Sequence, residues 1–157
     1  MADLTLEVET SRAISAQMLR HKSLSAQEFS LRYQELLGFE VYEARRQDVK
    51  NRQNSIDDMS EDDKSWFDNA QSKVINVASE LYKEGIRRGI AKESMRFLLP
   101  MSTKTKLYLK GSVRSWLHYL EVRCHQDTQL EHREIAEEIK KIFIQQFPNI
   151  AQAKNWA

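Results

Sequence analysis

The chain has 157 residues, of which 41% are hydrophobic and 30% are charged, and its net charge is +1 at pH 7. This length and composition predict one soluble globular domain over residues 1–157. The balanced charge gives no overall field for a polyanionic partner, and no apolar run approaches the ~18 residues that a membrane span requires. The single cysteine, Cys124, excludes an internal disulfide and favours a reducing, cytoplasmic environment.

The N-terminal part of the chain begins with a strand pattern and continues into a short helix. Apolar and polar residues alternate over residues 3–9, which is the period of a half-buried strand. Thr10 or Ser11 is an acceptable N-cap for a helix that runs to about Arg20. Three later segments are predicted from their composition: a loop at residues 21–26, a helical or extended stretch at 29–41, and an exposed polar loop at 48–58.

The middle of the chain predicts a long helix followed by a shorter one. The long helix begins at Ser60, and Asp63 follows at the position of an acidic capping-box partner. Its apolar residues keep helical spacing as far as Gly85, namely Phe67, Ala70, Val74, Val77, Ala78 and Leu81. A shorter helix over residues 91–99 is ended by Pro100.

The C-terminal third predicts one more strand and two more helices. Two leucines within residues 104–110 alternate with lysines, which indicates a strand. Residues 112–123 form a predicted helix with an apolar stripe of Val113, Trp116, Leu117 and Leu120. The last helix is predicted to start at Thr128, with Glu131 as its capping-box partner, and to end near Pro148. Its inward residues are expected to be Ile135, Ile139, Ile142 and Phe143. The whole pattern predicts an α+β fold, mostly helical with a small, largely antiparallel sheet.

Arg123 occupies an apolar position of its helix, where a charge is costly. It lies three residues after Leu120 and seven after Trp116, so it continues the apolar stripe. An unpaired guanidinium is expensive to bury, so Arg123 needs a partner. That partner is either a carboxylate of the chain, such as Glu131, or a ligand with an anionic or carbonyl group. Arg96 is the only charge in its own apolar run and either reaches solvent or points into a cavity.

Polar and charged groups also converge around the first helix and the segment after it. Gln17, Arg20 and His21 share one helix face through i,i+3 and i,i+4 spacing. Lys22 follows, and if the next segment is extended three alternate residues project together: Glu28, Ser30 and Arg32. This loop edge is either a solvated surface with ordinary ion pairs or a binding site.

Residues 20–33 read RHKSLSAQEFSLRY. This stretch resembles the signature of the flavin-dependent thymidylate synthases, which is Arg-His-Arg, seven further residues, Ser, and Arg-Tyr shortly after. Further matching pieces follow in the family's order: Arg96 before Leu-Leu-Pro, Val113-Arg114-Ser115, Leu120-Glu121-Val122-Arg123, Gln129 and Glu131. The resemblance spans about residues 4–148, and it implies a thymidylate-synthase-complementing-protein-like fold.

The resemblance implies flavin-dependent methylation of dUMP to dTMP, with FAD as cofactor, methylenetetrahydrofolate as carbon donor and NADPH as reductant. Arg123 is the implied catalytic residue, which polarises the uracil ring and favours its N3-deprotonated form. The implied FAD-binding residues are Arg20, His21, Lys22, Glu28, Arg114 and His118. The implied dUMP-binding residues are Gln17, Arg20, Glu28, Ser30, Arg32, Arg96 and Arg123. The arginines are expected to pair with the phosphate through charge-assisted hydrogen bonds.

The family chemistry needs no protein nucleophile, because the flavin carries the methylene and the hydride while the protein supplies placement and electrostatics. Cys124 and Ser30 are therefore not expected to act as nucleophiles. The resemblance also implies a homotetramer whose active sites take residues from several subunits. Arg114 and Arg123 agree with this arrangement, since nine residues along one helix point them in nearly opposite directions.

Three positions depart from the family pattern. Lys22 stands where the motif has its second Arg, which keeps the charge but loses the planar fork. Ala26-Gln27 stands where Asn often precedes the Glu, and His118 replaces a common Asn. The chain also starts at the strand before the motif helix, without the family's usual upstream segment, so we expect either an N-terminally short member or a fragment of a longer chain.

Two other functions are alternatives. A basic cluster near Tyr42 suggests a non-catalytic relative that binds nucleotide or nucleic acid, although acidic residues are interleaved with it. The cluster comprises Arg45, Arg46, Lys50 and Arg52. Three histidines at seven-residue intervals suggest a metal site, but no cysteine or carboxylate set completes it. They are His118, His125 and His132. We expect neither nucleic-acid binding nor a bound metal.

Overall fold

The computed structural model describes residues 2–33, 35–52 and 54–156. Its strands are β1 (Asp3–Ser11), β2 (Ser25–Glu28), β3 (Arg46–Gln47), β4 (Ser55–Ile56) and β5 (Lys104–Ser112). Its helices are α1 (Arg12–Met18), α2 (Glu61–Arg87), α3 (Lys92–Met95), α4 (Val113–Arg123), α5 (Leu130–Gln146) and α6 (Pro148–Ala153), with a 3-10 turn at Arg96–Leu98. About half of the chain is helical and the larger sheet is antiparallel, which confirms the predicted α+β fold.

The larger sheet has the strand order β1–β5–β2. β1 pairs with β5 along its whole length, from Asp3 opposite Ser112 to Ser11 opposite Lys104. Because the two strands are antiparallel and each leads directly into a helix, α1 and α4 start at opposite ends of the sheet. The short β2 adds to the other edge of β5 and ends at Glu28.

The core lies between this sheet and the helices α1, α4 and α5. Its largest fully buried side chains include Trp116, Tyr119, Phe143, Ile14, Met18 and Leu107. The indole Nε1 of Trp116 donates to the Leu4 carbonyl at 3.0 Å, which joins the apolar stripe of α4 to β1. This packing fixes the directions in which α1 and α4 present their polar residues.

Serine side chains cap three helices: α1 and α4, which carry predicted functional residues, and α2, which is the longest helix. Ser11, Ser60 and Ser112 each accept a hydrogen bond from the backbone N–H three residues later. The geometry satisfies one of the free N–H groups of each helix start. The caps predicted for α1 and α2 are confirmed, and Ser112 caps α4 in the same way.

The start of α5 differs from the prediction. Gln129 is its cap residue, and the Gln129 side chain makes no capping bond. Thr128 donates through Oγ1 to the Val122 carbonyl at 3.2 Å, and Glu131 pairs with Arg45. The predicted capping box between Thr128 and Glu131 is wrong, because both side chains have partners that local spacing does not reveal.

The two segments at residues 29–41 and 48–58 contain little regular structure in their described residues. Phe39 forms an isolated bridge with Thr103, and no helix is present in residues 29–33 or 35–41. The predicted loop at 48–58 contains β4, which pairs with β3 in a small hairpin. Its turn is closed by the Asp48 carboxylate, which accepts from two backbone N–H groups just after it.

Helix α2 carries apolar residues on a buried side and on an exposed side. Ala78 and Tyr82 are buried. We define the α2 stripe as the four large apolar side chains that are 51–70% exposed: Trp66, Val74, Val77 and Leu81. Three of these belong to the apolar set that helical spacing identified on α2. Ile142 of α5 was predicted to face inward and is 40% exposed. The prediction is wrong here because helical spacing identifies an apolar face but not what covers it. Within the described residues, no helix is long and apolar enough to cross a bilayer.

Candidate active site

Two clefts open near opposite ends of α1. The first, which we call the Arg123 cleft, has a volume of about 660 Å³, and its lining includes Gln17, Arg20, Arg123 and Gln129. The second, which we call the Glu28 cleft, has a volume of about 480 Å³, and its lining includes Arg12, Glu28, Ser30 and Arg96. The two clefts share no lining residue. The predicted dUMP ligands are therefore divided between two faces of the chain.

The arginines predicted to bind ligands have no acidic partner in the described part of the chain. Elsewhere in those residues, guanidinium groups do pair with carboxylates, at Arg12, Arg45, Arg46, Arg87 and Arg88. In the described residues the arginines without an acidic partner are these five, Arg20, Arg32, Arg96, Arg114 and Arg123, together with Arg52 and Arg133. The alternative ion pair between Arg123 and Glu131 is wrong, because Glu131 pairs with Arg45 instead.

Arg123 combines partial burial with an unused hydrogen-bond donor. Its Nε is buried and has no partner among the described residues. Burial, and then the Arg123 charge, lower the pKa of both His21 and His132. Those histidines therefore do not add further positive charge at neutral pH. A buried donor without a partner is costly, so the geometry favours an acceptor supplied by a ligand.

Arg12 is a residue of the Glu28 cleft that the sequence prediction missed. Its guanidinium lies 2.8 Å from a Glu28 carboxylate oxygen and donates to the Phe29 carbonyl at 2.7 Å. The Ser15 hydroxyl donates to the other oxygen of Glu28. Arg12 and Ser15 share a face of α1 through i,i+3 spacing, which is the signal that was available in the sequence. Together they fix Glu28 and the end of β2, and so the approach to Ser30.

Arg96 and Arg32 are both exposed. Arg96 lines the Glu28 cleft, and its guanidinium carbon lies 5.2 Å from the Phe97 ring centroid. Arg32 lies in the turn after β2, with its guanidinium carbon 5.4 Å from the Tyr33 ring centroid. The strand ends at Glu28, so the prediction that Glu28, Ser30 and Arg32 project as alternate strand residues is wrong for Arg32.

The remaining predicted cofactor residues meet at a third position, beside the start of α4. The His21 ring lies 5.4 Å from the His118 ring, and its Nε2 is buried without a hydrogen-bond partner among the described residues. The Ser23 hydroxyl contacts the Ser115 carbonyl at 3.5 Å. That contact brings the segments carrying Lys22 and Arg114 to the same corner. Unpaired cations next to a helix N-terminus favour an anionic group.

Several of the residues that suggested the two alternative functions make other contacts within the chain. Arg45 pairs with Glu131 and Arg46 pairs with Asp58, so half of the basic cluster is neutralised within the chain. No group of three or more metal-ligating side chains occurs in residues 2–33, 35–52 and 54–156. The three spaced histidines have different surroundings: His118 beside His21, His125 with Asp127, and His132 with Tyr119 and Gln17.

The buried His132 predicts acid sensitivity of the fold. Burial, the Arg123 charge and the His21 charge lower its pKa from 6.5 to about 4. The unfolded chain therefore binds this proton at a higher pH than the folded chain does. The contribution of neutral His132 to the free energy of unfolding is fully present above about pH 6.5 and is lost as the pH falls toward 4. At pH 5 we expect His132 to account for about 2 kcal/mol of lost unfolding free energy.

Urea unfolding at pH 7.5 and pH 5 measures this effect. His132→Gln is expected to show a shallower loss of unfolding free energy between the two pH values than the wild type. The exposed His125→Gln is the matched control and is expected to keep the wild-type difference. Equal pH dependence in all three proteins would contradict the assignment.

Comparison with known proteins identifies the family. Residues 1–149 match the family described as thymidylate synthase complementing protein. The chain is 58% identical over 156 residues to the flavin-dependent thymidylate synthase of Synechocystis sp., covering 99% of this chain and 73% of that protein. It is 48% identical over 156 residues to the probable flavin-dependent thymidylate synthase of Paramecium bursaria Chlorella virus 1, covering 99% and 72%.

A solved structure agrees with these sequence relatives. The UMP/dUMP methylase PolB from Streptomyces cacaoi, bound with 5-Br UMP, superposes with a TM-score of 0.83 at 26% sequence identity. The match covers 91% of this chain and 69% of that one. The chain therefore belongs to the thymidylate synthase complementing protein family, the flavin-dependent thymidylate synthases.

Proposed function

We propose that this protein methylates C5 of dUMP to form dTMP, with methylenetetrahydrofolate as carbon donor and NADPH as reductant. The methylene carbon becomes the new methyl group, and the hydride of NADPH reduces it. The C5 proton of dUMP and one proton from solvent complete the tetrahydrofolate product, and NADP⁺ is released. The free thiol of Cys124 agrees with a reducing, cytoplasmic site for this reaction.

The observation that carries this proposal is the set of arginines without acidic partners in the two clefts. In the part of the chain that the structure describes, Arg20 and Arg123 line one cleft and Arg96 lines the other, all without an ion pair. A nucleotide monophosphate offers a dianionic phosphate at one end and carbonyl oxygens at the other. Guanidinium groups match both kinds of acceptor.

Arg123 is the group we assign to the reacting ring. A cation beside the uracil carbonyl stabilises negative charge on the ring oxygens and favours loss of the N3 proton. The conjugated ring delivers that electron density to C5, which is the carbon that gains the methyl group. A fixed, partly desolvated guanidinium acts more strongly in this role than one that is free in water.

The residues around His21 fit a flavin, which we assign as FAD. The buried Nε2 of His21 has no partner in the described residues and suits a polar atom of the ring system. Lys22 and Arg114 are exposed cations at the adjacent corner and suit the diphosphate. His118 lies against His21, while Arg20 and Glu28 complete the assigned set. When bound, the flavin supplies hydride transfer and carries the one-carbon unit.

No protein nucleophile is assigned. Burial and the neighbouring Glu137 carboxylate raise the pKa of the Cys124 thiol to about 11, so it stays protonated at neutral pH. Ser30 lines the Glu28 cleft without a histidine partner in the described residues, so we assign it to substrate binding.

We further propose that the protein is a homotetramer in which the Arg123 cleft of one subunit meets the Glu28 cleft of another. Arg12 and Gln17 are five residues apart on α1, which separates their directions by about 140°. Each cleft alone holds only part of the assigned ligand set. The α2 stripe offers an apolar surface for association, because exposed large apolar residues aligned along one helix are costly in a monomer.

The α2 stripe predicts the effect of a charge on assembly. Val77→Asp places a carboxylate at the centre of the stripe, where 55% of the valine is exposed in the single chain. We expect the tetramer to dissociate into smaller species, because the buried charge would lack a partner. Light scattering after size exclusion measures the mass, and Lys83→Asp, at an exposed position about 120° around α2 from Val77, is the control. A tetramer that persists with Val77→Asp would contradict this interface.

The absorption spectrum of the purified protein and NADPH oxidation test the proposed function. We expect flavin absorbance, and NADPH oxidation that depends on dUMP. A protein that binds dUMP but neither flavin nor NADPH would instead be a non-catalytic relative.

A further inference from the structure

A chain of hydrogen bonds runs behind the wall of the Arg123 cleft. Tyr119 Oη lies 3.1 Å from His132 Nε2, and His132 Nδ1 lies 3.2 Å from Gln17 Oε1. Gln17 Nε2 donates to Gln129 Oε1 at 2.5 Å, and Gln129 Nε2 donates to Glu131 Oε2 at 2.8 Å. The chain therefore joins the buried core to Glu131 through both glutamines that line the cleft.

The direction of this chain is set at its Glu131 end. The other oxygen of Glu131 accepts from Arg45, and Arg45 Nε is held by the Ser55 hydroxyl at 3.0 Å. Burial disfavours the charged form of Glu131, but hydrogen bonds from Arg45, the backbone and Gln129 outweigh it and lower the pKa of the carboxyl. An ionised carboxylate only accepts hydrogen bonds. Gln129 must therefore turn its NH₂ group toward Glu131.

Each later group must then follow the same direction. Because the NH₂ group of Gln129 donates to Glu131, Gln129 presents Oε1 to Gln17. Gln17 must therefore donate from its own NH₂ group. The Gln17 carbonyl then faces His132 and requires a proton on Nδ1. Since the low pKa of the fully buried His132 keeps it neutral, its Nε2 has no proton and accepts from Tyr119.

The consequence for the cleft is a wall, formed by Gln17, Gln129, Arg20 and Arg123, that presents mainly donors; the acidic residues Glu121 and Asp127 also line this cleft. Each glutamine carbonyl already accepts one hydrogen bond within the chain, while each NH₂ group has a second N–H left over. These N–H groups join Arg20 and Arg123 in the lining of the cleft. A ligand that meets this wall is favoured when it offers acceptors and disfavoured when it offers an amino group.

We propose that the Arg45–Glu131 ion pair, acting through Gln129 and Gln17, orients this wall and so selects a uracil-type base over a cytosine-type base. Arg45, Glu131 and His132 are positioning residues in this scheme, because they act through the glutamines. The inference rests on the proposed function, in which the base of dUMP lies in the Arg123 cleft. The 4-carbonyl of uracil accepts where the 4-amino group of cytosine would meet another donor.

Neutron diffraction of the perdeuterated wild-type protein tests the direction of the chain without any substrate. We expect deuterium on Nδ1 of His132, none on Nε2, and the Gln17 amide nitrogen toward Gln129. Deuterium on Nε2 of His132, or a reversed Gln17 amide, would overturn the proposal. This result needs no variant and does not depend on the enzyme's activity.

Calorimetric titration with dUMP and with dCMP tests the selectivity. Glu131→Gln keeps the size of the side chain but allows it to donate, so the ratio of dUMP to dCMP affinity is expected to fall about tenfold, the equivalent of one hydrogen bond. Arg45→Lys, made in the wild-type protein, keeps the carboxylate charged and is expected to retain most of the wild-type ratio. Glu138→Gln, which removes a surface pair with Lys141 on the same helix, is the control and keeps the wild-type ratio.

The possible outcomes distinguish failure of the proposed selectivity from failure of the proposed function. An unchanged ratio in a folded Glu131→Gln protein overturns the selectivity. If the wild type binds neither nucleotide, the proposed function and the selectivity both fail, while the neutron result still decides the direction of the hydrogen-bond chain.

Discussion

Arg123→Ala is expected to lower kcat/KM for dTMP formation by at least about 100-fold, the usual effect of removing one preorganised charge or donor from a transition state. Flavin absorbance is expected to remain, because Arg123 is not among the residues assigned to the flavin. The physical reason is that Arg123 is the partly buried cation of its cleft, with an Nε that has no partner in the described residues.

Removal of the Arg123 charge is expected to raise stability, although it lowers activity. Arg123→Met keeps the length of the side chain and removes a partly buried charge that has no acidic partner in residues 2–33, 35–52 and 54–156. We expect the melting temperature to rise by about 2–4 °C, the equivalent of about 1 kcal/mol in a chain of this size. Function and stability would then oppose each other at this position, as is common for functional residues.

Arg46→Ala is the matched control for both measurements. Its guanidinium is exposed and already paired with Asp58, with Nη2 2.5 Å from a carboxylate oxygen. We expect near-wild-type turnover and a melting temperature within about 2 °C, since a surface ion pair contributes little. Near-normal turnover of Arg123→Ala would contradict the catalytic assignment.

Two inactive variants are expected to restore activity when they assemble together. Arg96→Ala damages only the Glu28 cleft, and Arg123→Ala damages only the Arg123 cleft. If each active site combines clefts from two subunits, a random equal mixture contains about a quarter of sites with both arginines intact. Co-expression followed by a dTMP assay is expected to recover about a quarter of wild-type activity.

The complementation needs proof that mixed assemblies form. Native mass spectrometry of the co-expressed protein, with one chain carrying a mass tag, supplies that control. Mixed tetramers that stay as inactive as either parent would contradict the shared site and would place both arginines in a site made by one subunit.

Local patterns predicted much of the framework that carries the site. The alternation in β1, the serine caps of α1 and α2, and the apolar stripe around Trp116 all depend on residues within one element. Arg123 was also recognisable, because a cation on that stripe contradicts the local pattern. Such conflicts between local pattern and residue type are expected at functional positions.

The features that local sequence patterns did not predict depend on contacts between distant segments. Glu131 was predicted to cap α5 or to pair with Arg123, but it binds Arg45, which is 86 residues away in sequence. The role of Arg12 required knowing that β2 returns along β5 to place Glu28 beside α1. The exposure of Val77 likewise depends on which helices pack against α2. None of these contacts has a signal in local periodicity.

The amount of dTMP formed by the purified protein tests the central claim most directly. The protein, supplied with FAD, NADPH, methylenetetrahydrofolate and dUMP, is assayed by liquid chromatography and mass spectrometry. We predict one dTMP for each NADPH oxidised under anaerobic conditions, and none when dUMP or the folate is omitted. A folded, flavin-loaded protein that forms no dTMP would contradict the account.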